Sequence, residues 1–553
     1  MIGLETRARH GAFVLVRRLR RPLVALVLVY AVAVLGFTLV PGQDPDGNPW
    51  HMGFFHAFYF VSFLGTTIGL GEVPYPFSDA QRLWATISIY TTVVAWLYAI
   101  GSLFSLLQDP VFRRLMHENS VQSAVRKLHE HFYLVCGYDD GGRLVVRELA
   151  EEGIASVVVD RIKDRVDSID VAELRLHVPA LHGDATEPVT LARAGLGNPL
   201  CRGVLALTGD DMVNLKIAMS SKLLRPDVQV ICSAREHQTH PHMAAAGVEH
   251  IINPNDTAAR RLSNAIRLPS LNAIYECLAA HSRAPTDALT TFPDGKWIVC
   301  GEGGFVRTFD RHLRRNGMQT ELITTDEGTA PQPEESLWLN QKLDTVDMSQ
   351  AVGVIIGTDS DLDNLMATRW VRARNRDAFI VVKQNQRRNS KLFRAVDAGL
   401  VVFPGYIVAT EVMRNIRAPQ LSYFLRLARD QDEAWAARLL EKMREDIGDQ
   451  QAAVWSVAVE ADVATSLHAA ISAGKQARLA DLLRAPDNRD LPLRALCLLL
   501  QRGKDKQLLP EPDSILEAGD QLLFCGRDIA ESRMKWTLED PSVMDYLIAG
   551  TPC

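Results

Sequence analysis

The sequence predicts a membrane α-helical domain, with two transmembrane helices and a shorter re-entrant helix, followed by α/β structure. The α/β part comprises two Rossmann-like doubly wound parallel-sheet domains and a small α+β lobe at the C-terminus. Two observations predict this architecture. Apolar segments at residues 23–40 and 84–107 enclose a shorter apolar segment and a glycine-containing loop. Behind them, one strand-and-helix pattern occurs twice, at residues 203–214 and again at residues 353–364.

The two long apolar segments have the length that a membrane-spanning helix needs, which is about 20 residues for a hydrocarbon core of about 30 Å. Residues 53–64 are also apolar but too few to cross a bilayer, so they predict a re-entrant helix. Irregular backbone is tolerated at membrane depth only where it is buried in protein or lines water. The loop that follows the short segment is therefore predicted to line an aqueous path.

This loop consists of Thr66, Thr67, Ile68, Gly69, Leu70, Gly71 and Glu72. Glycines can adopt dihedral angles closed to other residues, so successive carbonyl groups can turn toward one axis and replace the hydration shell of a cation. One chain supplies one such loop, and a closed ring of carbonyl groups needs several. We therefore expect a homotetramer in a lipid bilayer.

The loop resembles the T-T-V-G-Y-G-D signature of potassium channels that have two membrane helices per subunit. The resemblance implies that residues 66–72 form the selectivity filter and that K+ is the permeant ion. The sequence departs from the signature at Ile68, Leu70 and Glu72, which stand in place of valine, tyrosine and aspartate. Because Leu70 lacks a hydroxyl and Glu72 is longer than aspartate, a weakly selective monovalent cation channel stays open as an alternative.

Charge patterning predicts the orientation and limits the partners. Arginines precede the first span and follow the second, whereas the segment between the spans carries little positive charge. This asymmetry predicts a multi-pass protein of the cell membrane with its N-terminus and its α/β domains in the cytoplasm. The formal net charge of −6 does not suggest a nucleic-acid partner.

We expect the chain to be organised into a transmembrane pore domain at 1–108, a helical linker at 109–130, a first Rossmann-like domain at 131–283, a linker at 284–294, a second Rossmann-like domain at 295–430, and a C-terminal lobe and tail at 431–553. The two Rossmann-like domains are called the first copy and the second copy below. Strands of the first copy are predicted at residues 132–136, 155–159, 178–182, 203–208, 228–233 and 248–252.

Each copy has a glycine loop after its first strand. In the first copy, Gly137 and Gly142 keep the outer positions of the dinucleotide-binding fingerprint, Asp139 replaces its middle glycine, and Asp160 is the acid expected about 20 residues later. Asp139 brings negative charge to the place where a pyrophosphate approaches the backbone, so phosphate binding is disfavoured there unless a cation bridges.

In the second copy, Gly301 and Gly303 keep the first two glycines, and Val306 replaces the third. Asp326 ends the second strand and is the candidate for holding a ribose hydroxyl. Nucleotide binding and purely structural turns both explain these loops. If a nucleotide binds, the second copy is the better candidate.

Residues 132–527 resemble RCK (TrkA-N/TrkA-C-like) domains, the regulators of K+ conductance that form a ring below such pores. Gly183-Asp184-Ala185-Thr186 supports the resemblance. It implies Asp184 as a nucleotide contact, although a helix N-cap explains this residue equally well. It also implies a gating ligand, either NAD(H), an adenine nucleotide or Ca2+, and helical segments at 257–278 and 407–428 that swap between domains. The metal ligands, if there are any, stay unknown.

The resulting prediction is a ligand-gated potassium channel, opened or closed through its RCK ring, and not an enzyme. Two alternatives come from other functional classes. A membrane-tethered NAD(H)-dependent oxidoreductase would account for the Rossmann-like domains, because such folds host many enzymes, but neither copy is followed by an evident catalytic constellation. A non-conducting ligand sensor would account for Leu70.

Overall fold

A computed structural model of the chain describes residues 2–44, 46, 48–69, 71–108, 121, 123–279, 293–324, 338–448 and 452–550. The chain divides into two compact units, Met1–Lys127 and Leu128–Cys553.

The smaller unit is built from three helices, Ile2–Leu39, Phe54–Gly65 and Asp79–Gln108. A two-residue antiparallel pair of strands, Gly42–Gln43 and Pro49–Trp50, lies between the first two helices. The long helices contain the two candidate membrane spans, Arg20–Leu39 and Asp79–Ser105. Only 22% and 17% of their most apolar windows are buried, which leaves most of their apolar surface for lipid or for other subunits.

Aromatic side chains pack the short helix against the first long helix, and the first long helix against the second. The Phe37 ring lies 4.8 Å from that of Phe60 and 5.8 Å from that of Phe77, measured between centroids. Gly36 allows the Trp84 indole to lie against the first long helix, because a Cβ atom at Gly36 would be only 2.0 Å from the indole. The Trp84 Nε1 donates a hydrogen bond to the carbonyl oxygen of Ala33 at 3.1 Å.

The first copy is a six-stranded parallel sheet in the spatial order Ala180–His182, Ala155–Asp160, Phe132–Cys136, Cys201–Ala206, Gln229–Ser233 and His250–Ile252. This is the Rossmann strand order, and the predicted fold class is confirmed. The helices of this copy are Asp140–Glu151, Lys163–Asp170, Pro188–Arg193, Asp211–Leu224 and His240–Ala245, with a 3-10 turn at His237–Thr239.

The second copy has five parallel strands among its described residues, in the order Gln319–Ile323, Lys296–Gly301, Ala351–Gly357, Phe379–Lys383 and Leu400–Val402. Its helices are Gly303–Arg315, Trp338–Leu343, Asp361–Arg374 and Ser390–Ala395, with a 3-10 turn at Arg387–Asn389.

The predicted helical segments 257–278 and 407–428 are each a pair of helices. The first crossover pair comprises Pro254–Arg267 and Pro269–Ala279, and the second comprises Pro404–Arg417 and Pro419–Ala428. Each break falls just before a proline, because proline disfavours helical dihedral angles in the preceding residue. Leu268 accordingly has φ −130° and ψ 65°, and Ala418 has φ −140° and ψ 77°.

Each crossover pair completes the core of the other copy. Ala259 and Leu262 of the first pair are buried in the same cluster as Phe309 of the second copy. Val412 of the second pair is buried in the same cluster as Leu149 of the first copy. The two copies therefore share their hydrophobic cores within one chain.

One polar contact across this swap has a predicted pH dependence. His312 lies 2.7 Å from the Asp256 carboxylate, and Arg260 donates to that carboxylate at 2.8 Å. The hydrogen bond from His312 lowers the pKa of Asp256 to about 2, against the opposing effect of burial and with help from Arg260.

We expect Asp256→Asn to lower the free energy of unfolding at neutral pH by about 2 kcal/mol. A carboxyl group whose pKa is lower in the folded than in the unfolded protein stabilises the folded state at pH values above its unfolded-state pKa. That stability is lost as the pH falls from about 4 toward 2. The thermal midpoints of variant and wild type should therefore differ at pH 7 and converge at low pH. Asp377→Asn, at an exposed carboxylate, is the control.

The C-terminal lobe follows the helix Glu433–Asp446 and contains a four-stranded antiparallel sheet, in the order Ala453–Ala458, Gln521–Gly526, Ala495–Arg502 and Asp505–Leu508. A short hairpin, Arg484–Ala485 with Asn488–Pro492, and the helices Asp528–Glu539 and Pro541–Ala549 complete the lobe. Two shorter helices of the lobe, Thr465–Ser472 and Leu479–Leu482, are separated by a turn that contains Gly474, where φ is +82°.

Candidate functional sites

The loop of residues 66–72 leaves the C-terminus of the short helix Phe54–Gly65. Its first three backbone N–H groups turn back toward that helix: Thr66 donates to Ser62 O at 3.2 Å, Thr67 to Leu64 O at 3.2 Å and Ile68 to Phe63 O at 3.1 Å. The short helix therefore positions the start of the loop through its own carbonyl groups.

Left-handed residues recur at every second position of this loop. Thr67, Gly69 and Gly71 have φ angles of 59°, 66° and 91°, whereas Ile68 is not left-handed. Alternating left- and right-handed residues bring successive carbonyl groups onto one side of the chain, which is the arrangement that coordinates a dehydrated cation. Thr67 is notable because a β-branched residue rarely adopts positive φ, and such strain is concentrated at functional sites. Leu70 lies outside the described residues.

Glu72 ties the outgoing end of the loop to the second long helix. Its carboxylate accepts hydrogen bonds from Arg82 Nε at 2.9 Å and from the Phe77 backbone N–H at 2.8 Å. The longer glutamate side chain is thus used to anchor the loop, a role that the sequence alone did not indicate.

The glycine loop of the first copy is closed by its own acids. Asp139 accepts hydrogen bonds from the backbone N–H groups of Gly141 at 3.0 Å and Gly142 at 3.1 Å. Asp160, which is buried, accepts from the backbone N–H groups of Tyr138 and Ile162, both at 2.7 Å. The helix N-terminal groups that bind phosphate in dinucleotide sites are therefore occupied by the Asp139 carboxylate.

Close packing explains the two outer glycines of this loop. A Cβ atom at Gly137 would lie 2.9 Å from the Thr208 nitrogen, and one at Gly142 would lie 2.1 Å from the Gly137 carbonyl oxygen.

We expect Gly142→Ala to lower the free energy of unfolding by about 3 kcal/mol, because backbone atoms surround the added methyl group and must shift. Thermal unfolding of the full chain measures the loss. Gly197→Ala serves as the control, since a Cβ atom there meets nothing within 4 Å. Equal midpoints for the two variants would contradict the packing argument.

The glycine loop of the second copy is not closed by its own acid, Glu302. The helix Gly303–Arg315 begins there, and its N-cap residue Glu302 makes no side-chain capping bond. Gly301 has φ 133°, and a Cβ atom there would lie 2.3 Å from the Gly357 carbonyl oxygen, whereas a Cβ atom at Gly303 would meet nothing within 4 Å. Val306, at the third glycine position, is buried in the core. Asp326 lies outside the described residues.

Each glycine loop is overlaid by the other copy, which the sequence analysis missed. Arg387 of the second copy donates its backbone N–H to Asp140 at 2.8 Å, beside the first loop. At the second loop, the Glu236 carboxylate of the first copy lies 3.0 Å from the place of a Cβ atom on Gly304. Arg387 and Glu236 follow corresponding strands of the two repeats, so the internal repeat was the signal that could have revealed this symmetry.

Asp184, the remaining candidate acid, and two further acids, Asp211 and Asp361, serve local structure. Asp184 is exposed and accepts a hydrogen bond from the backbone N–H of Thr186 at 2.8 Å. This hydrogen bond stabilises a local turn. Asp211 accepts the Arg235 N–H at 2.9 Å, and Asp361 accepts the Asn385 N–H at 2.6 Å. Across the described ranges, no group of three or more His, Cys, Asp or Glu side chains is arranged to hold a metal ion.

Two family models match the chain. Residues 24–109 match the ion channel family model, and residues 133–254 and 297–404 each match the TrkA-N domain model.

Two curated relatives are named as potassium channels. Potassium channel protein 1 of Methanocaldococcus jannaschii is 25% identical over 232 residues, covering 42% of this chain and 64% of that protein. The voltage-gated potassium channel Kch of Escherichia coli is 24% identical over 227 residues, covering 41% of this chain and 52% of that protein. The chain therefore spans between half and two thirds of the length of these relatives. Among solved structures, the GsuK channel bound to NAD has a TM-score of 0.46 at 17% identity, over 96% of this chain and 99% of that one.

These matches cover the membrane segment and both repeats that the sequence analysis distinguished. The chain thus carries an ion-channel domain followed by two TrkA-N domains, and it is homologous to potassium channel proteins with RCK domains.

Proposed function

We propose that this chain is the subunit of a K+ channel whose filter is formed by residues 66–72 and whose opening is controlled by a ligand acting through the pair of RCK domains. The observation that carries the proposal is the alternation of left-handed residues at Thr67, Gly69 and Gly71, directly after a short helix and between two candidate membrane spans. An oxidoreductase would have no use for this backbone arrangement.

The channel is a homotetramer in this proposal. One loop supplies one quarter of a ring of carbonyl groups, and K+ filters use four. The large apolar surface of the two long helices supports association, because side chains such as Tyr90, Val94 and Leu97 are exposed in the single subunit. The N-terminus and both RCK domains lie in the cytoplasm, as the arginines before the first span indicate.

The gating ligand is NAD(H) or an adenine nucleotide, bound at the glycine loop of the second copy. The uncapped start of the helix Gly303–Arg315 supports this choice, since free helix N-terminal N–H groups attract phosphate. In the first copy the same groups are occupied by Asp139. A phosphate at this loop would also displace the Glu236 carboxylate of the first copy, which lies beside Gly304, so binding would bias how the copies pack and thereby bias the pore. The described residues provide no support for Ca2+ as the ligand.

Currents from the purified full-length protein in planar bilayers test the proposal. Reversal potentials under K+ and Na+ gradients measure the selectivity, and NADH, ADP or Ca2+ added to one side measures the gating. We expect a K+-selective current that a nucleotide alters and Ca2+ does not. Equal K+ and Na+ permeability would reduce the proposal to a monovalent cation channel. The absence of current under every ligand would favour a non-conducting sensor.

A further inference from the structure

A small cavity lies where the first and second crossover pairs meet, away from both glycine loops. Its volume is about 40 Å³, and arginine side chains from both copies line it: Arg260, Arg261, Arg414 and Arg429. The other polar lining groups are neutral, and no carboxylate is among the lining residues. The cavity is therefore a positively charged space inside the joint between the two copies.

Three of these arginines have carboxylate partners that lie outside the cavity lining. Arg260 pairs with Asp256 at 2.8 Å, and Arg261 pairs with Glu276 at 3.0 Å. Arg414 pairs with Glu411 on its own helix. None of these carboxylates lines the cavity, so the charged groups of the lining are all guanidinium groups.

Arg429 is the arginine without such a partner. Its Nε donates to the Leu425 carbonyl oxygen at 3.1 Å, and it forms no ion pair with a carboxylate in the part of the chain that the structure describes. Burial, followed by repulsion from Arg260, lowers the pKa of Arg429 to about 10. The pKa of Tyr275 is also lowered: burial alone would raise it, but the positive charges of Arg414 and Arg261 outweigh that effect.

Two of the arginines that line the cavity have a donor without an acceptor. The Nε atoms of Arg261 and Arg414 are buried and have no hydrogen-bond partner among the described residues. A buried donor left without an acceptor costs about 1–3 kcal/mol, and more when it is charged. An arginine has five N–H donors and no acceptor, so the guanidinium groups that line the cavity need acceptors from a guest. Water can accept these hydrogen bonds, but only an anion also offsets the positive charge.

We propose that this cavity binds a phosphate-type oxyanion that bridges the two crossover pairs. A tetrahedral oxyanion offers only acceptors and a charge opposite to the lining, and arginine is the side chain best suited to such oxygens. The volume limits the guest, because one buried water needs about 10–15 Å³ of such space and 40 Å³ corresponds to only a few waters. The site therefore holds inorganic phosphate or the terminal phosphate of a larger molecule, and it fixes the joint through which the copies move relative to each other.

Calorimetric titration of the full-length protein with inorganic phosphate, at constant ionic strength set by chloride, tests the proposal. Arg429→Gln removes the unpaired charge without adding bulk. It should weaken phosphate binding by a factor of about 10–100, because a hydrogen bond to a charged group contributes about 1.5–3 kcal/mol. Arg438→Gln, at an exposed arginine of the neighbouring helix Glu433–Asp446, should bind phosphate as the wild type does.

A second measurement separates loss of binding from loss of folding. In chloride alone, Arg429→Gln should keep or raise the thermal midpoint, because it relieves repulsion among the arginines. In phosphate, the wild type should gain stability, whereas Arg429→Gln should not. Titration with ATP distinguishes the source of the oxyanion. If ATP competes with phosphate and the competition depends on Arg429, the site takes the terminal phosphate of a nucleotide. If ATP does not compete, the site takes free phosphate.

Three results would overturn the proposal: no phosphate binding by the wild type, equal affinity in the wild type and Arg429→Gln, or loss of phosphate binding in Gly303→Asp with Arg429→Gln unaffected. The last result would place the anion at the glycine loop. Because the readout is binding and not current, the proposal can fail while the channel function stands.

Discussion

Gly69→Ala is expected to abolish K+-selective current while leaving the assembled protein intact. Gly69 has φ +66°, a left-handed conformation that costs an L-residue with a side chain about 1–2 kcal/mol. In a tetramer that penalty occurs four times and amounts to about 4–8 kcal/mol, enough to favour a loop in which the peptide has turned and its carbonyl no longer faces the ion. We expect the K+ conductance in bilayers to fall by at least about tenfold, which requires only about 1.4 kcal/mol.

The effect of this substitution should be conformational rather than steric. A Cβ atom at Gly69 meets nothing within 4 Å, and the same is true at Gly53, the N-cap of the short helix, where φ is −66°. Gly53→Ala is therefore a matched control and should conduct like the wild type. Cross-linking establishes whether each variant still assembles. A Gly69→Ala channel with wild-type conductance and selectivity would refute the assignment of residues 66–72 as the filter.

Gly303→Asp is expected to abolish nucleotide binding, because it copies into the second loop the acid that closes the first. Two like charges 4 Å apart repel by about 4 kcal/mol at an effective dielectric constant near 20, so a phosphate at this loop would be expelled. We expect the affinity for NADH or ADP to fall by at least about a hundredfold in calorimetric titration, which corresponds to about 2.7 kcal/mol.

Two companion variants isolate the charge as the cause. Gly303→Ala introduces the strain of a side chain at φ +74° without the charge, and this strain of about 1 kcal/mol should cost at most about fivefold in affinity. Asp139→Gly removes the acid from the first loop and should leave binding at the second loop unchanged. If Gly303→Asp bound nucleotides as tightly as the wild type, the ligand site would have to lie elsewhere.

The local elements of this chain were predictable because each depends on residues that are close in sequence. The length of an apolar run predicts a membrane span, and the spacing of Gly69 and Gly71 predicts backbone freedom in one loop. The repeat predicted two sheets of Rossmann order, and the strands of the first copy begin and end within a few residues of the predicted positions. The helix breaks before Pro269 and Pro419 could also have been predicted, since proline restricts the backbone of the residue that precedes it.

The sequence by itself therefore determined the order of the elements, the parallel sheets and the residue types of the candidate filter, because these follow from hydrophobic period and from backbone sterics within one segment. Only the tertiary structure decided which groups face each other: Glu72 with Arg82, Asp139 with the start of its own helix, and Glu236 with the opposite glycine loop. It also brought Arg260 and Arg261 of one crossover pair to Arg414 of the other and to Arg429, which directly follows that pair. The physical reason is that long-range contacts depend on how the faces of distant helices pack together, and one sequence read along its length contains no direct record of that packing.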